Sequence, residues 1–139
     1  HNSDILDNAF VIVDFGNGAR GMLDLSMFAE GSRNEQEICV VGDKAKIEAL
    51  ITDSVVRIGN RTGGRDGVLE ISVTQAEGVV HGFHAGASFV EHLSMQHSIR
   101  NGRTSEVSLR DGLISVAIGQ AAHMSIAQNR SVPIAELLT

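Results

Sequence analysis

The sequence predicts an α+β fold: an open, mostly antiparallel β-sheet with two main helices packed on one face. Three observations carry that expectation. Strand-like runs occupy the chain from Ala9 to about residue 80, helical patterns are confined to about residues 88–128, and turn residues separate several of the strands. The chain has 139 residues, enough for a single domain with a core that needs no disulfide or metal staple. No internal repeat or low-complexity segment is evident.

The strand runs are, in order, AFVIVDF, ARGMLDLSMFA, EQEICVVGD, KIEALI, SVVRIG and VLEISVT. Asn17-Gly18, Gly42-Asp43 and the loop from Gly59 to Gly67, with its Gly63-Gly64 pair, punctuate them. Two runs alternate as half-buried strands should. Ile47, Ala49 and Ile51 share one face against Lys46 and Glu48, and Leu69, Ile71 and Val73 oppose Glu70 and Ser72. Phe10 to Val13 and Ile38 to Val41 are instead apolar on both faces. Cys39, the single cysteine, falls in the second of these and is expected to be a buried thiol in a reducing compartment.

Gly16-Asn17-Gly18-Ala19-Arg20-Gly21 fits the pattern GxGxxG after an apolar strand, and Asp43 closes a later strand where a ribose-binding acid is expected. A dinucleotide turn must open a helix, because the pyrophosphate rests on free N–H groups at the helix start. The residues that follow, MLDLSMFA, read better with period two: Leu23, Leu25, Met27 and Ala29 share one face. Asn17-Gly18 is also a favoured pair for a type I′ hairpin, since both residues tolerate positive φ. The hairpin is the preferred reading. A small nucleotide-binding domain using Gly16–Gly21 is the alternative, and it requires Met22 onward to be helical.

The helices begin near Ser88, where Ser88 and Glu91 form a capping box with Phe89, Leu93 and Gln96 following, and Asn101-Gly102 can end the segment. The second starts at Ser108, with Asp111 as an acidic capping box. Leu113, Val116, Ala117, Ala121 and Met124 repeat along it at helical spacing, beside a second row of Ile114, Ile118 and Ala122. Asn129 and Pro133 mark its end. A helix with so wide an apolar face should pack against something flat.

This ending, DGL-x-SV-x-I-x-x-AA-x-x-SI followed by V-P-I-x-EL, resembles the carboxyl terminus of the Gfo/Idh/MocA family, the relatives of glucose-fructose oxidoreductase and inositol dehydrogenase. ILDNAFVIVDFGNGARG, EQEICVVGDKAKIEAL and HAGASFVEH extend the resemblance over nearly the whole chain, in matching order. The resemblance implies the substrate and dimerisation domain of an NAD(P)-dependent oxidoreductase acting on a sugar, polyol or similar hydroxyl compound. Such proteins begin with a separate Rossmann domain and an E-K-P segment, which are not found here. The chain starts at His1 and is expected to lie beyond the family's catalytic aspartate and histidine, so no catalytic residue is assigned. As a fragment it is expected to be inert, with NAD or NADP belonging to the full-length parent. A stand-alone structural or dimerisation module without catalysis is the other reading.

Candidate site residues come from the polar run Glu30-Gly31-Ser32-Arg33-Asn34-Glu35 and from histidines. Arg33 and Asn34 supply donors and an acceptor suited to hydroxyl groups. In similar proteins this strand end lines the substrate pocket; a solvated connection between strands is the plainer reading. His84 and His92 flank the strand-to-helix connection and could border the same pocket. His81, His84 and His92 lie close together beside Glu91, but not with the spacing of a metal-binding helix, so no metal is expected. His123 reads as a packing residue on the last helix.

Composition limits the partners. Net charge is −6 with no lysine or arginine cluster, and aromatics make up 4%, against nucleic acid or an acidic membrane surface. Mean hydropathy is +0.06, and no long uncharged run is present, so neither a membrane span nor a signal peptide is expected. A cytoplasmic location follows as the expectation. Apolar residues on both faces of two strands imply a second cover for the sheet, and a homodimer through the open sheet face is the natural way to supply it.

Overall fold

The computed structural model describes residues 5–51, 53–73 and 86–138. Its strands are β1 (Asn8–Asp14), β2 (Arg20–Ser26), β3 (Glu37–Val41), β4 (Ala45–Leu50), β5 (Val55–Asn60) and β6 (Val68–Ser72). Two helices follow, α1 (Ala87–Arg100) and α2 (Leu109–Gln128), and 3-10 turns span Arg65–Gly67 and Ile134–Leu137. The class is α+β with antiparallel pairing, the strands being divided between a β1–β2 hairpin and a sheet of order β3-β4-β5-β6. The chain folds as two compact units, His1–Phe10 with Leu23–Val90, and Val11–Met22 with Glu91–Thr139.

The hairpin is tied at one end by the Phe15 N–H to Ala19 O (2.9 Å) and at the other by the Met27 N–H to Asp7 O (2.8 Å). Those bonds set Asp14 opposite Arg20, whose Nε donates to the Asp14 carboxylate at 3.0 Å. The turn is not type I′. Among the residues at the turn only Gly18 has positive φ, at 86°, while the Gly18 N–H donates to Phe15 O at 2.9 Å. Gly16 and Asn17 therefore occupy a type I turn, and Gly18 forms the bulge that restores strand twist. Asn17 contributes its side chain instead of its backbone: Oδ1 accepts the Ala19 N–H at 3.0 Å. Since Arg20–Ser26 is a strand, no helix opens after the glycines, and the nucleotide-loop alternative fails on that ground.

The four-stranded sheet has a register that sorts its residues by face. Ile38, Ala49, Val56 and Ile71 stand in one row across the strands, and Val40, Ile47, Ile58 and Leu69 in the next. Both rows lie on the same face, because side chains alternate with period two, and every residue in them is apolar. The opposite face carries Cys39, Glu48, Arg57 and Glu70 in its middle row. The alternation expected for Lys46–Ile51 and Val68–Val73 is thus observed. The expectation of a buried Cys39 is not: the thiol is exposed, as is every residue of β3, which stands at the edge of the sheet.

Helix α1 starts at Ala87, so Ser88 sits within the first turn and is not the cap; Gly86, with φ 84°, precedes the helix. Its end is a Schellman motif, in which the Arg103 N–H donates to Ser98 O (2.9 Å) and the Gly102 N–H to Ile99 O (3.3 Å), with Gly102 at φ 59°. Helix α2 has the capping box expected for it. Ser108 Oγ accepts the Asp111 N–H at 3.2 Å, and Asp111 Oδ2 accepts the Ser108 N–H at 2.8 Å and the hydroxyl at 2.7 Å. Asn129 closes it in the left-handed conformation. Ala117 and Ala121 are the buried apolar residues among those described, while Leu113 and Val116 face solvent. The covered stripe therefore follows Ile114, Ala117, Ile118, Ala121 and Ala122, rotated from the row headed by Leu113. Beyond it, Arg130 grips the 3-10 turn with two bonds to the Glu136 carboxylate, at 3.2 and 2.9 Å.

Removing the cap tests this account of α2. Ser108→Ala is expected to lower stability by about 1 kcal/mol in denaturant titration. The two Ser108 bonds hold the Asp111 carboxyl below its usual pKa. A depressed folded-state pKa contributes stability that is present above the ordinary aspartate value and is lost as pH falls through the lowered one. Fraying of the first turn of α2 should therefore appear only below about pH 4, as followed by NMR chemical shifts. Asp111→Asn should abolish that transition.

Candidate functional site

The connection from β2 to β3 brings Arg33 and Asn34 to the β4–β5 turn. Ser32 shapes the approach: its N–H donates to Ala29 O at 2.9 Å and its hydroxyl to Asn34 O at 2.8 Å. Arg33 Nε then meets the Asp53 carboxylate, 3.1 Å from Oδ1 and 3.0 Å from Oδ2. Asn34 Oδ1 accepts the Asp53 N–H at 3.1 Å, and the Ile51 N–H donates to Gln36 O at 3.1 Å. The loop and the turn are thus joined by three separate links. The turn itself is held by the Ser54 N–H to Ile51 O bond (3.3 Å), with Ser54 in the left-handed region at φ 52°. A serine there is strained, which the bonds on either side offset.

The arrangement changes what Arg33 and Asn34 can do. Each uses one group on Asp53: the guanidinium its Nε, the amide its oxygen. The Arg33 side chain is 84% exposed and that of Asp53 only 23%, so the pair is anchored on the turn and open on the loop side. The terminal amino groups of Arg33 and the Asn34 Nδ2 make no hydrogen bond among the described residues and remain as donors. Donors held at fixed angles suit hydroxyl or carbonyl oxygens. Asp53 is engaged with the guanidinium, and no general acid or base is assigned. Asp53 was not legible in the sequence as a partner, since twenty residues separate it from Arg33 and only the β3–β4 register closes the gap.

His84 lies outside the described residues, as does His81. His92 is exposed on α1 and belongs to the second unit, whereas Arg33 and Asn34 belong to the first. Among the described residues, no three His, Cys, Asp or Glu side chains are placed to hold a metal ion, and no helix is long and apolar enough to cross a membrane.

Residues 1–134 match the family described as the oxidoreductase family, C-terminal alpha/beta domain. The chain belongs to the Gfo/Idh/MocA family. As that family's C-terminal domain, it is similar in fold to a solved oxidoreductase from Agrobacterium radiobacter, crystallised with NAD+, L-tartaric acid and magnesium. The TM-score is 0.75 at 20% identity, over 94% of this Gfo/Idh/MocA domain and 39% of the solved chain. Likeness at that identity establishes the fold alone. The domain spans less than half the length of that oxidoreductase, and no curated protein sequence matches it.

The loop-to-turn clamp predicts a local effect. Asn34→Ala should speed hydrogen exchange at the Asp53 amide while lowering global stability by about 1 kcal/mol, as one partly buried neutral hydrogen bond warrants. An unchanged Asp53 amide would show that the clamp does not form in solution.

Proposed function

We propose that this domain forms the substrate side of an NAD(P)-dependent oxidoreductase acting on a sugar, polyol or similar hydroxyl compound, and that it also carries the self-association surface. The family match over residues 1–134 is the observation that carries the reading. The clamp adds to it, because it presents fixed donors at the strand end where such a substrate would be gripped. The solved relative is crystallised with NAD+ and a hydroxyl-bearing acid, which is consistent with a nicotinamide cofactor and an oxygen-rich substrate in the longer protein.

The nicotinamide ring would accept or deliver the hydride. This chain's residues do not fit the nucleotide. The GxGxxG segment Gly16–Gly21 leads into a strand, so no free helix N–H groups follow it to face a pyrophosphate. The cofactor belongs to the part of the parent protein that precedes this domain. What the domain supplies is orientation of the substrate by Arg33 and Asn34, with the Asp53 carboxylate fixing the guanidinium. An exposed free thiol at Cys39 suits a reducing compartment, and we assign a cytoplasmic setting on that basis.

Three measurements test the proposal. Calorimetric titration of the 139-residue chain with NAD+ and NADP+ should show no binding; a micromolar Kd lost in Gly18→Val would overturn the hairpin reading. In the protein carrying its Rossmann domain, Arg33→Ala and Asn34→Ala should lower kcat/KM by roughly tenfold or more, the size of one lost substrate hydrogen bond, with little loss of stability. Unchanged kinetics in both variants would return the segment to an ordinary loop. Sedimentation equilibrium should show a reversible dimer of the chain, and a monomer at every concentration would refute self-association.

A further inference from the structure

The Arg33–Asp53 pair differs from an arginine standing alone in a loop. Nε of Arg33 lies 3.1 and 3.0 Å from the two Asp53 carboxylate oxygens, so the guanidinium has its counter-ion already in place. Arg33 is the single cation between Met27 and Asp43, and Glu30, Glu35 and Glu37 flank it in the chain. The segment as a whole is therefore acidic. Its hydrogen-bonding capacity is of both kinds. The terminal amino groups of Arg33 and the Asn34 Nδ2 are donors, while each Asp53 oxygen has lone pairs beyond those that face Nε. The Asp53 side chain is 23% exposed, which leaves those lone pairs within reach of a ligand.

We propose that Asp53 sets the substrate class of this site, selecting a neutral hydroxyl group over a carboxylate. The inference rests on the substrate-side reading above and narrows it to uncharged compounds, sugars and polyols in place of sugar acids. A hydroxyl both donates and accepts. It can take an N–H from Arg33 and give its own O–H to Asp53, so one substituent satisfies both members of the pair without moving either. An ionised carboxylate only accepts. Set on the free terminal amino groups of Arg33, it would leave the Asp53 lone pairs facing another anion, and two like charges sharing one guanidinium repel. An arginine with no counter-ion would favour the opposite order, since bidentate pairing with a carboxylate is among its strongest contacts. Asp53 is also held in place. Its own N–H donates to Asn34 Oδ1 at 3.1 Å, which limits how far the acid can withdraw from a rival anion.

The test compares D-glucitol with D-gluconate, which carries a carboxylate in place of one hydroxymethyl group, in the protein carrying its Rossmann domain. Each is measured as a substrate or as a competitive inhibitor of turnover. The KM or Ki of D-glucitol should be the lower by about tenfold or more. Asp53→Asn removes the charge and keeps the shape. It should tighten D-gluconate by about tenfold or more and weaken D-glucitol, reversing the order. Asp53→Glu keeps the charge and should keep the order. A residue that merely braced the loop would, when changed, weaken both compounds by the same factor. The native comparison decides even where Asp53→Asn does not fold. D-gluconate bound as tightly as D-glucitol by the native protein, or an unchanged ratio in Asp53→Asn, would overturn the proposal and leave the substrate-side reading standing. If neither compound bound, or Arg33→Ala altered neither constant, the substrate-side reading itself would fail, and this proposal with it.

Discussion

The ion pair between Arg57 on β5 and Glu70 on β6, closed at 2.8 Å, shows the constraint on which the rest of this domain depends. It exists only because the two residues stand directly opposite one another, and that register fixes every other residue of the sheet. A slip of one position would carry Arg57 to the far side and replace the aliphatic rows with charges. Glu70 holds the Arg57 guanidinium above its usual pKa, and the Lys46 ammonium likewise draws the Glu48 carboxyl down. Both shifts favour the charged forms of Arg57 and Glu48. Exposed pairs of this kind add little stability.

The candidate site inherits its geometry from the same sheet. Pairing of Glu37 with Leu50 brings the start of β3 beside the end of β4. The Ile51 N–H then reaches Gln36 O, and Asp53 lies within reach of both Arg33 and Asn34. A loop of seven or so polar and small residues would otherwise have no reason to hold one conformation. The geometry at its tip thus depends on a strand register some residues away.

Much of this was legible in the sequence, and the failures have definite physical causes. The six strands and both helices fall where period-two and helical patterns place them, and the α2 capping box follows from Ser108 and Asp111 alone. Faces were harder. Ile38 to Val41 is apolar at every position, so alternation cannot say which side Cys39 takes; the partners Glu48 and Ala49 decide it. The hairpin was legible from Asn17-Gly18 but its turn was not, because an Asn-Gly pair serves equally as the end of a type I turn with a bulge. Ser88 resembled a cap because capping boxes are defined by spacing, and a serine within the first turn satisfies the same spacing. Asp53, the anchor of the candidate site, carries no local signal at all.

Methyl-resolved nuclear Overhauser spectra of the chain test the register most directly. The account predicts contacts running Val40–Ile47–Ile58–Leu69 in one row and Val56–Ile71 in the next, with none joining Ile58 to Val55 or Val68 across the sheet plane. Contacts from Ile58 to Leu50 would mean a strand shifted by one residue. The charged row, the aliphatic face and the clamp at Asp53 would then all be misassigned.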